Sequence, residues 1–263
     1  MQLQRATETI TLGPLSSSVA DGASWLGTDE YPPSQSWADE LERVLAFAKS
    51  RGGFKRCFGD LRGSASQRDS ALAELRVAFF LDRNGFRLTE WKPRGADQKE
   101  GEYCIGCPSG QDMFVEVKSP GWESELSQAE RLAGRTKSPK YINAEARFFD
   151  SAKPIRFAVT KAYLKFAADR KNLLVVADDL FMGLDHRPDF SAQRALYASN
   201  ADPDQTGCFT NSSYERLGGV GIFWARKFEN QPIEYGMRLF INPYAVSCAL
   251  PSDFVHAFRG TAG

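Results

Sequence analysis

The segment Met113–Lys118 reads MFVEVK and runs into Ser119-Pro120-Gly121. As a strand, it sends Met113, Val115 and Val117 to one face and Phe114, Glu116 and Lys118 to the other. A carboxylate and an ammonium two residues apart on one strand face stand about 6–7 Å apart along the backbone. Such a pair can act as a unit. The carboxylate binds a divalent cation, and the ammonium approaches a nucleophilic water or a phosphate oxygen. Mg²⁺ suits this arrangement, because it takes oxygen ligands and often uses only one or two carboxylates plus substrate phosphates. Bound there, it polarises phosphoryl oxygens and acidifies its water. The same two side chains would also serve as an ordinary ion pair on a half-exposed strand, so the chemistry requires further acids.

Glu74 is one. Ala71, Val77, Ala78 and Leu81 lie three, three, four and seven residues from it, so on a helix it sits in an apolar stripe. A carboxylate in that place needs a partner, a metal or a proton. A second acid must come near Glu116. EYCIGC (102–107), PSGQ (108–111) and MFVEVK read as strand, turn and strand. Folding the hairpin about PSGQ sets Cys104 opposite Glu116 and Glu102 opposite Lys118. Glu102 opens its strand. Asp97, in the loop PRGADQKEG, competes with it and reaches the site if the loop curls back.

These residues need elements to hold them. Residues 36–51 have helical spacing (Leu41, Val44, Leu45, Ala48) with a cap at Ser36 and a stop at Gly52–Gly53. Residues 54–67 read as a basic connection. SQRDSALAELRVAFFLDRNGF is the clearest helix, capped by Ser66 or Asp69 and ended by Asn84–Gly85. FRLTEW follows as a strand. Helices are expected over 122–134, 139–150 and 156–171, and a buried strand over 172–181. Residues 183–213 read as a long surface excursion, and 219–228 and 234–243 as two further strands. Residues 1–35 are a loose arm in which TETITLG can form a short strand. The whole reads as one α/β domain: an N-terminal arm and helix over 1–60, then a mixed sheet with helices over 61–263.

The 263 residues are 42% apolar and 25% charged, with zero formal net charge, which excludes a general polycation that coats nucleic acid. The neutral total conceals blocks. Residues 51–94 hold 10 basic and 5 acidic residues, 95–129 hold 2 and 7, and 130–171 hold 11 and 4. Two basic blocks therefore flank the acidic one that contains the hairpin, a metal-ready centre between phosphate-holding surfaces. Five scattered cysteines suit a reduced, cytoplasmic setting. No signal pattern opens the chain, and no run approaches the roughly 18 apolar residues of a membrane span. Cys104 and Cys107 form a lone pair without the second pair of a zinc site. His186 and His256 lie apart from any ligand pattern. LGGVG (217–221) lacks the lysine and helix of a phosphate loop. Tyr214, Phe223, Trp224 and Phe228 read as packing.

A helix glutamate, a strand-opening acid, and then Glu116-Val117-Lys118-Ser119, in the order helix–strand–strand–helix–strand, resemble the PD-(D/E)XK nuclease superfamily over about residues 68–180. The resemblance implies the restriction-endonuclease-like fold: a mixed sheet flanked by helices, here with an N-terminal helical extension. It implies Mg²⁺-dependent (or Mn²⁺-dependent) hydrolysis of phosphodiesters in nucleic acid, most often DNA, by an endonuclease. Glu74, Glu102 or Asp97, and Glu116 would be the metal acids, and Lys118 the motif lysine. Lys161 and Lys165, four apart on the helix 156–171, would contact phosphates. Arg131, Arg135, Lys137 and Lys140, and Arg62 and Arg68 before the long helix, would extend the backbone-binding surface. A homodimer or protein partner would help a neutral chain grip a duplex. The pattern also departs from the family's. No Pro-Asp pair precedes the motif, and Glu102 is one methylene longer than aspartate. Some members of this superfamily are binding or assembly subunits without activity, which is the alternative.

Overall fold

A computed structural model describes residues 10–19, 35–119, 152–178, 188–199, 206–227 and 233–259. Six strands form one mixed sheet: β1 (Arg87–Trp91), β2 (Tyr103–Gly106), β3 (Asp112–Lys118), β4 (Lys171–Asp178), β5 (Gly219–Lys227) and β6 (Ile233–Ile241). They lie in chain order across the sheet. β1–β2, β2–β3 and β5–β6 pair antiparallel, while β3–β4 and β4–β5 pair parallel. The expected α/β class with a mixed, helix-flanked sheet is therefore present. The two central parallel pairs explain why Leu173–Ala177 is an unbroken buried run: a strand with parallel neighbours has both faces covered.

Among the described residues the helices are α1 (Ser16–Val19), α2 (Gln35–Ser50), α3 (Phe54–Leu61), α4 (Ala65–Arg83), α5 (Ala152–Tyr163), α6 (Pro188–Tyr197) and α7 (Ser252–Phe258). On one sheet face, Val77, Phe80 and Leu81 of α4 and Phe254 and Phe258 of α7 pack on Tyr103, Val115, Val117 and Val175. On the other, Ile155 and Val159 of α5 and Leu196 of α6 pack on Phe114, Leu174, Val176 and Ile222. The outer side of α4 (Ala71, Leu72, Leu75) is covered by Trp37, Leu41, Val44 and Leu45 of α2 and Leu61 of α3. α4 is thus buried on two sides, which is why, over Ala71–Leu81, every residue but Glu74 and Arg76 is apolar. No helix among the described residues is long and apolar enough to cross a membrane.

Several local expectations change. Residues 54–61 form a helix where a basic connection was expected. Two buried residues one turn apart, Cys57 and Leu61, hold it, a pairing too short to read as periodicity. The cap of α4 is Ser64, upstream of both Ser66 and Asp69. The Ser64 and Gln67 N–H groups exchange hydrogen bonds with each other's side chains, at 2.9 and 3.4 Å. The helix expected over 156–171 runs from 152 to 163, because the chain then turns to bury Phe166 edge-on against Phe114, with ring centroids 6.0 Å apart. The excursion 183–213 contains α6, whose Ala192, Ala195 and Leu196 are buried. Residues 10–13 form no strand. α7 belongs to a stretch in which no element was expected. The helices expected over 122–134 and 139–150 lie outside the described residues.

The hairpin register also moves. Cys104 pairs with Phe114 and Tyr103 with Val115. The loop is Pro108-Ser109-Gly110, closed by the Cys107 N–H on the Gln111 carbonyl at 2.8 Å. Gly110 has φ +80°, a conformation that suits a three-residue loop and costs glycine nothing. Centring the turn on Ser109 slides β2 by two residues along β3 from the expected pairing, which preserves the face of every side chain. Asp253 of α7 accepts the Ser109 N–H at 2.8 Å and pins this turn to the body.

α2 and α4 are joined by a buried ion pair. Glu40, 1% exposed, accepts Arg76 Nε at 2.9 Å and Nη2 at 3.0 Å, and also accepts the Tyr235 hydroxyl. Burial and the Glu40 charge push the Tyr235 hydroxyl's pKa well up. Glu40→Ala takes this shared acceptor from two part-buried donors, and we expect it to lower unfolding free energy by about 3 kcal/mol. A urea titration checks this. A midpoint unchanged from wild type would show that the pair does not secure α2.

Candidate functional site

Three strand ends place one row of side chains. β1–β2 pairing finishes at Trp91–Tyr103, and one residue on, the Lys92 N–H donates to the Glu102 carbonyl at 2.8 Å. β2–β3 pairing finishes at Tyr103–Val115, and one residue on, the Glu102 N–H donates to the Val115 carbonyl at 3.3 Å. Lys92, Glu102 and Glu116 are therefore neighbours across the sheet. Glu74 approaches from α4. Lys165 approaches from the turn after α5, where its carbonyl accepts the Ala96 N–H at 2.8 Å. That turn is closely packed, since a Cβ on Gly95 would lie 2.1 Å from the Lys165 carbonyl oxygen.

The side chains form an alternating series of charges. Lys92 Nζ donates to Glu74 Oε2 at 3.2 Å and to Glu102 Oε2. Glu102 Oε1 lies 3.7 Å from Lys165 Nζ. Lys165 Nζ and Lys118 Nζ each donate to Glu116 Oε1 at 2.6 Å. The order is Glu74, Lys92, Glu102, Lys165, Glu116, Lys118. Glu116 is wholly buried, and its Oε2 has no hydrogen-bond partner.

This crowding moves the ionisations. Burial first, and then the Glu102 charge, push the Glu74 carboxyl up to about 8 against the pull of Lys92. Burial would raise Glu102 too, but Lys92 outweighs it and holds Glu102 below the usual carboxylate range. Of these two acids, Glu74 keeps the proton. Burial also raises Glu116, only partly offset by Lys118. Lys92 is raised despite its burial, because Glu74 and Glu102 flank it. Beneath them, the buried Tyr103 hydroxyl is pushed far up by burial and then by the three carboxylates. A carboxyl and ammonium groups poised in this way can hold a hard cation, orient a water and take up phosphate charge.

Glu74, Glu102, Glu116 and Lys118 are thus brought together as their residue types suggested. Asp97 is not. It sits at φ +51°, its side chain is 83% exposed, and its ion-pair partner is Lys99 at 3.8 Å. The loop does curl back, but by backbone contact, which turns the carboxylate outward. Lys165 and Lys161 share no helix face, because α5 ends at Tyr163. Lys165 enters the series, whereas Lys161 stays exposed over the Phe157 ring, 5.2 Å from its centroid. Arg62 is exposed beside Phe58, and Arg68 is half-buried on α4. Arg131, Arg135, Lys137 and Lys140 lie outside the described residues. Sequence reasoning missed Lys92. Its signal was faint: a lysine directly between a strand and Pro93, facing the residue that opens the next strand. A bulge between Leu88 and Glu90 breaks the parity that would have assigned its face.

An all-oxygen donor set with one unpartnered buried carboxylate oxygen fits Mg²⁺ or Mn²⁺ in chemistry. Among the described residues, no group of three or more His, Cys, Asp or Glu side chains forms a ready-made cage, so one or two of these carboxylates would carry the protein's share of the ligands.

No protein-family model matches the chain, and no curated protein matches it. Among solved structures, that of Pyrococcus furiosus SfsA in complex with Ca²⁺ matches at 13% identity and a TM-score of 0.24, covering 64% of this chain and 59% of that one. The match spans less than two thirds of that protein, and at this score the likeness assigns nothing to the chain.

The raised Glu74 carboxyl predicts a pH dependence in metal-free protein. Below 4.5, the ordinary value, folded and unfolded chains are both protonated, and the stabilisation is fully present. As pH rises, the unfolded chain releases this proton first and the folded chain holds it to about 8, so the stabilisation is lost across that window. Glu74→Gln should flatten the decline and be the more stable protein at the upper end. Chemical denaturation at a series of pH values in chelator reads both curves, and parallel curves would exclude this role for Glu74.

Proposed function

We propose that this chain is a metal-dependent nuclease of the restriction-endonuclease-like, PD-(D/E)XK kind, hydrolysing phosphodiester bonds in nucleic acid, with DNA as the leading substrate and an endonuclease as the leading mode. The observation that carries the reading is the meeting of Glu74, Glu102 and Glu116 with Lys118 at one end of the sheet, with Glu116 Oε2 buried and unpartnered. Glu102, flanked by Glu74 on one side and Glu116 on the other, would hold Mg²⁺ or Mn²⁺. The bound ion would polarise a phosphoryl oxygen and acidify a water.

The chain's own groups supply the rest. Glu116 Oε2, which lacks a hydrogen-bond partner, would accept one from a water in the reaction. Lys118, partly open to solvent, can donate to that water or to a phosphate oxygen. Lys165 offsets the charge of Glu116 from the other side. Glu74, holding its proton towards pH 8, is a carboxyl able to give one up near neutrality. Exposed Lys161 and Arg62 would contact the nucleic-acid backbone, and a homodimer or protein partner would widen the grip.

A second reading is a non-catalytic nucleic-acid-binding or assembly subunit on the same fold. The pairing of each of the three acids with a lysine of the chain favours it.

Cleavage of supercoiled plasmid and of short single- and double-stranded DNA and RNA, with Mg²⁺ or Mn²⁺, separates the two. We expect cutting that chelator abolishes, and rates at least about 100-fold lower in Glu116→Ala and in Lys118→Ala. Wild-type rates in either folded variant would sink the nuclease reading, and binding without cutting by any preparation would support the second.

A further inference from the structure

We infer that Lys92 is the resident cation of this site, and that its ammonium competes directly with a divalent ion for Glu74 and Glu102. The inference rests on the reading that a divalent ion binds these carboxylates. Its ground is geometric. Lys92 Nζ bridges Glu74 Oε2 and Glu102 Oε2, two acids carried by different layers of the fold. Opposite-charge contact of this kind gives the carboxylates the charge compensation that a metal would give. An ion entering between them meets an ammonium already there, with Lys165 and Lys118 close behind on Glu116. Two cations cannot share the same pair of carboxylate oxygens at these distances without strong repulsion.

The backbone makes the exchange a side-chain event. Lys92 has φ +53°, and its N–H is tied to the Glu102 carbonyl. The Trp91 carbonyl accepts Arg56 Nη1 at 3.3 Å, and the Pro93 carbonyl accepts the Gly101 N–H at 2.9 Å. The chain is therefore pinned on both sides of the residue. Its side chain is 29% exposed, so the ammonium can swing into water while Glu74, within α4, and Glu102, at the start of β2, stay in place. A lysine suits this task. Its compact, strongly hydrated head on a flexible stem leaves more readily than a forked guanidinium held by two acceptors. Lys92 thereby sets the affinity with which the site takes up a divalent ion and screens the two acids from one another until it does.

The test is calorimetric titration of Mn²⁺, and separately Mg²⁺, into the full metal-stripped chain at one pH, comparing wild type, Lys92→Met and Lys92→Arg. Lys92→Met keeps the stem and removes the charge, and it should bind the ion about tenfold or more tightly than wild type. Lys92→Arg keeps the charge and should show no such gain. Thermal midpoints confirm that each variant folds, and Lys92→Gln replaces Lys92→Met if the latter does not. Wild-type binding with equal or weaker binding by the folded neutral variant overturns this inference and leaves the nuclease reading intact. Equal tightening by the methionine and arginine variants also overturns it, because shape and not charge would then be the cause. No ion binding by any of the proteins overturns both.

Discussion

Glu116 has no exposed surface, and a carboxylate in that position needs opposite charge within hydrogen-bond reach or a proton of its own. Its place is set by the sheet. It stands on β3, between the β2 end on one side and buried β4 on the other, facing α5 with Phe114. Lys118 supplies charge from its own strand and Lys165 from the turn after α5. Glu102, the next position across the sheet, repeats the problem and draws in Lys92, and Lys92 then reaches Glu74 on the far face. One buried acid thus ties together three strand ends, a helix interior and a turn. Each link is electrostatic and needs the others for neutrality.

The elements that carry these groups are rigid for apolar reasons. α4 holds Glu74 because the helix is pressed between the sheet and α2, with Val77 and Leu81 facing one and Leu72 and Leu75 the other. β3 is covered by α4 on one face and α5 on the other. Glu102 owes its position to the three-residue turn, since a slip of one residue would send it to the opposite face and one of two would leave it opposite Lys118. The glycine at position 110 and the Asp253 clamp on Ser109 therefore act on the site from the far end of the hairpin, by fixing register.

That pattern explains what was legible in the sequence. Glu74 could be read because a charge in an apolar helical stripe is conspicuous, and Glu116 and Lys118 because alternation assigns faces. Glu102 survived an error of two residues in register because an even slip keeps a residue on its face. Lys165 was placed on one helix face with Lys161, but the helix ends at Tyr163, after Lys161 and before Lys165, and the turn that buries Phe166 redirects Lys165. Asp97 and Lys92 were beyond pattern, since both have left-handed backbones in a loop and a strand end, where no periodicity tells a side chain where to point. The short helix α3 and the helix α6 were hidden for a related reason: packing, not propensity, makes them.

Two buried acids in this chain show how structure and chemistry divide the same residue type. Glu40 receives Arg76 through two parallel bonds and Tyr235 through a third, so each of its oxygens has a hydrogen-bond partner. That is the geometry of a group whose task ends at joining α2, α4 and β6. Glu116 is as deeply buried, yet both its lysines fall on Oε1 and Oε2 is left without a partner. A buried ion pair adds little to stability beyond what apolar side chains of similar volume would add, and an unpartnered oxygen subtracts from it. The first arrangement resolves its desolvation cost internally. The second leaves part of that cost standing at the one point where an arriving cation or water would remove it.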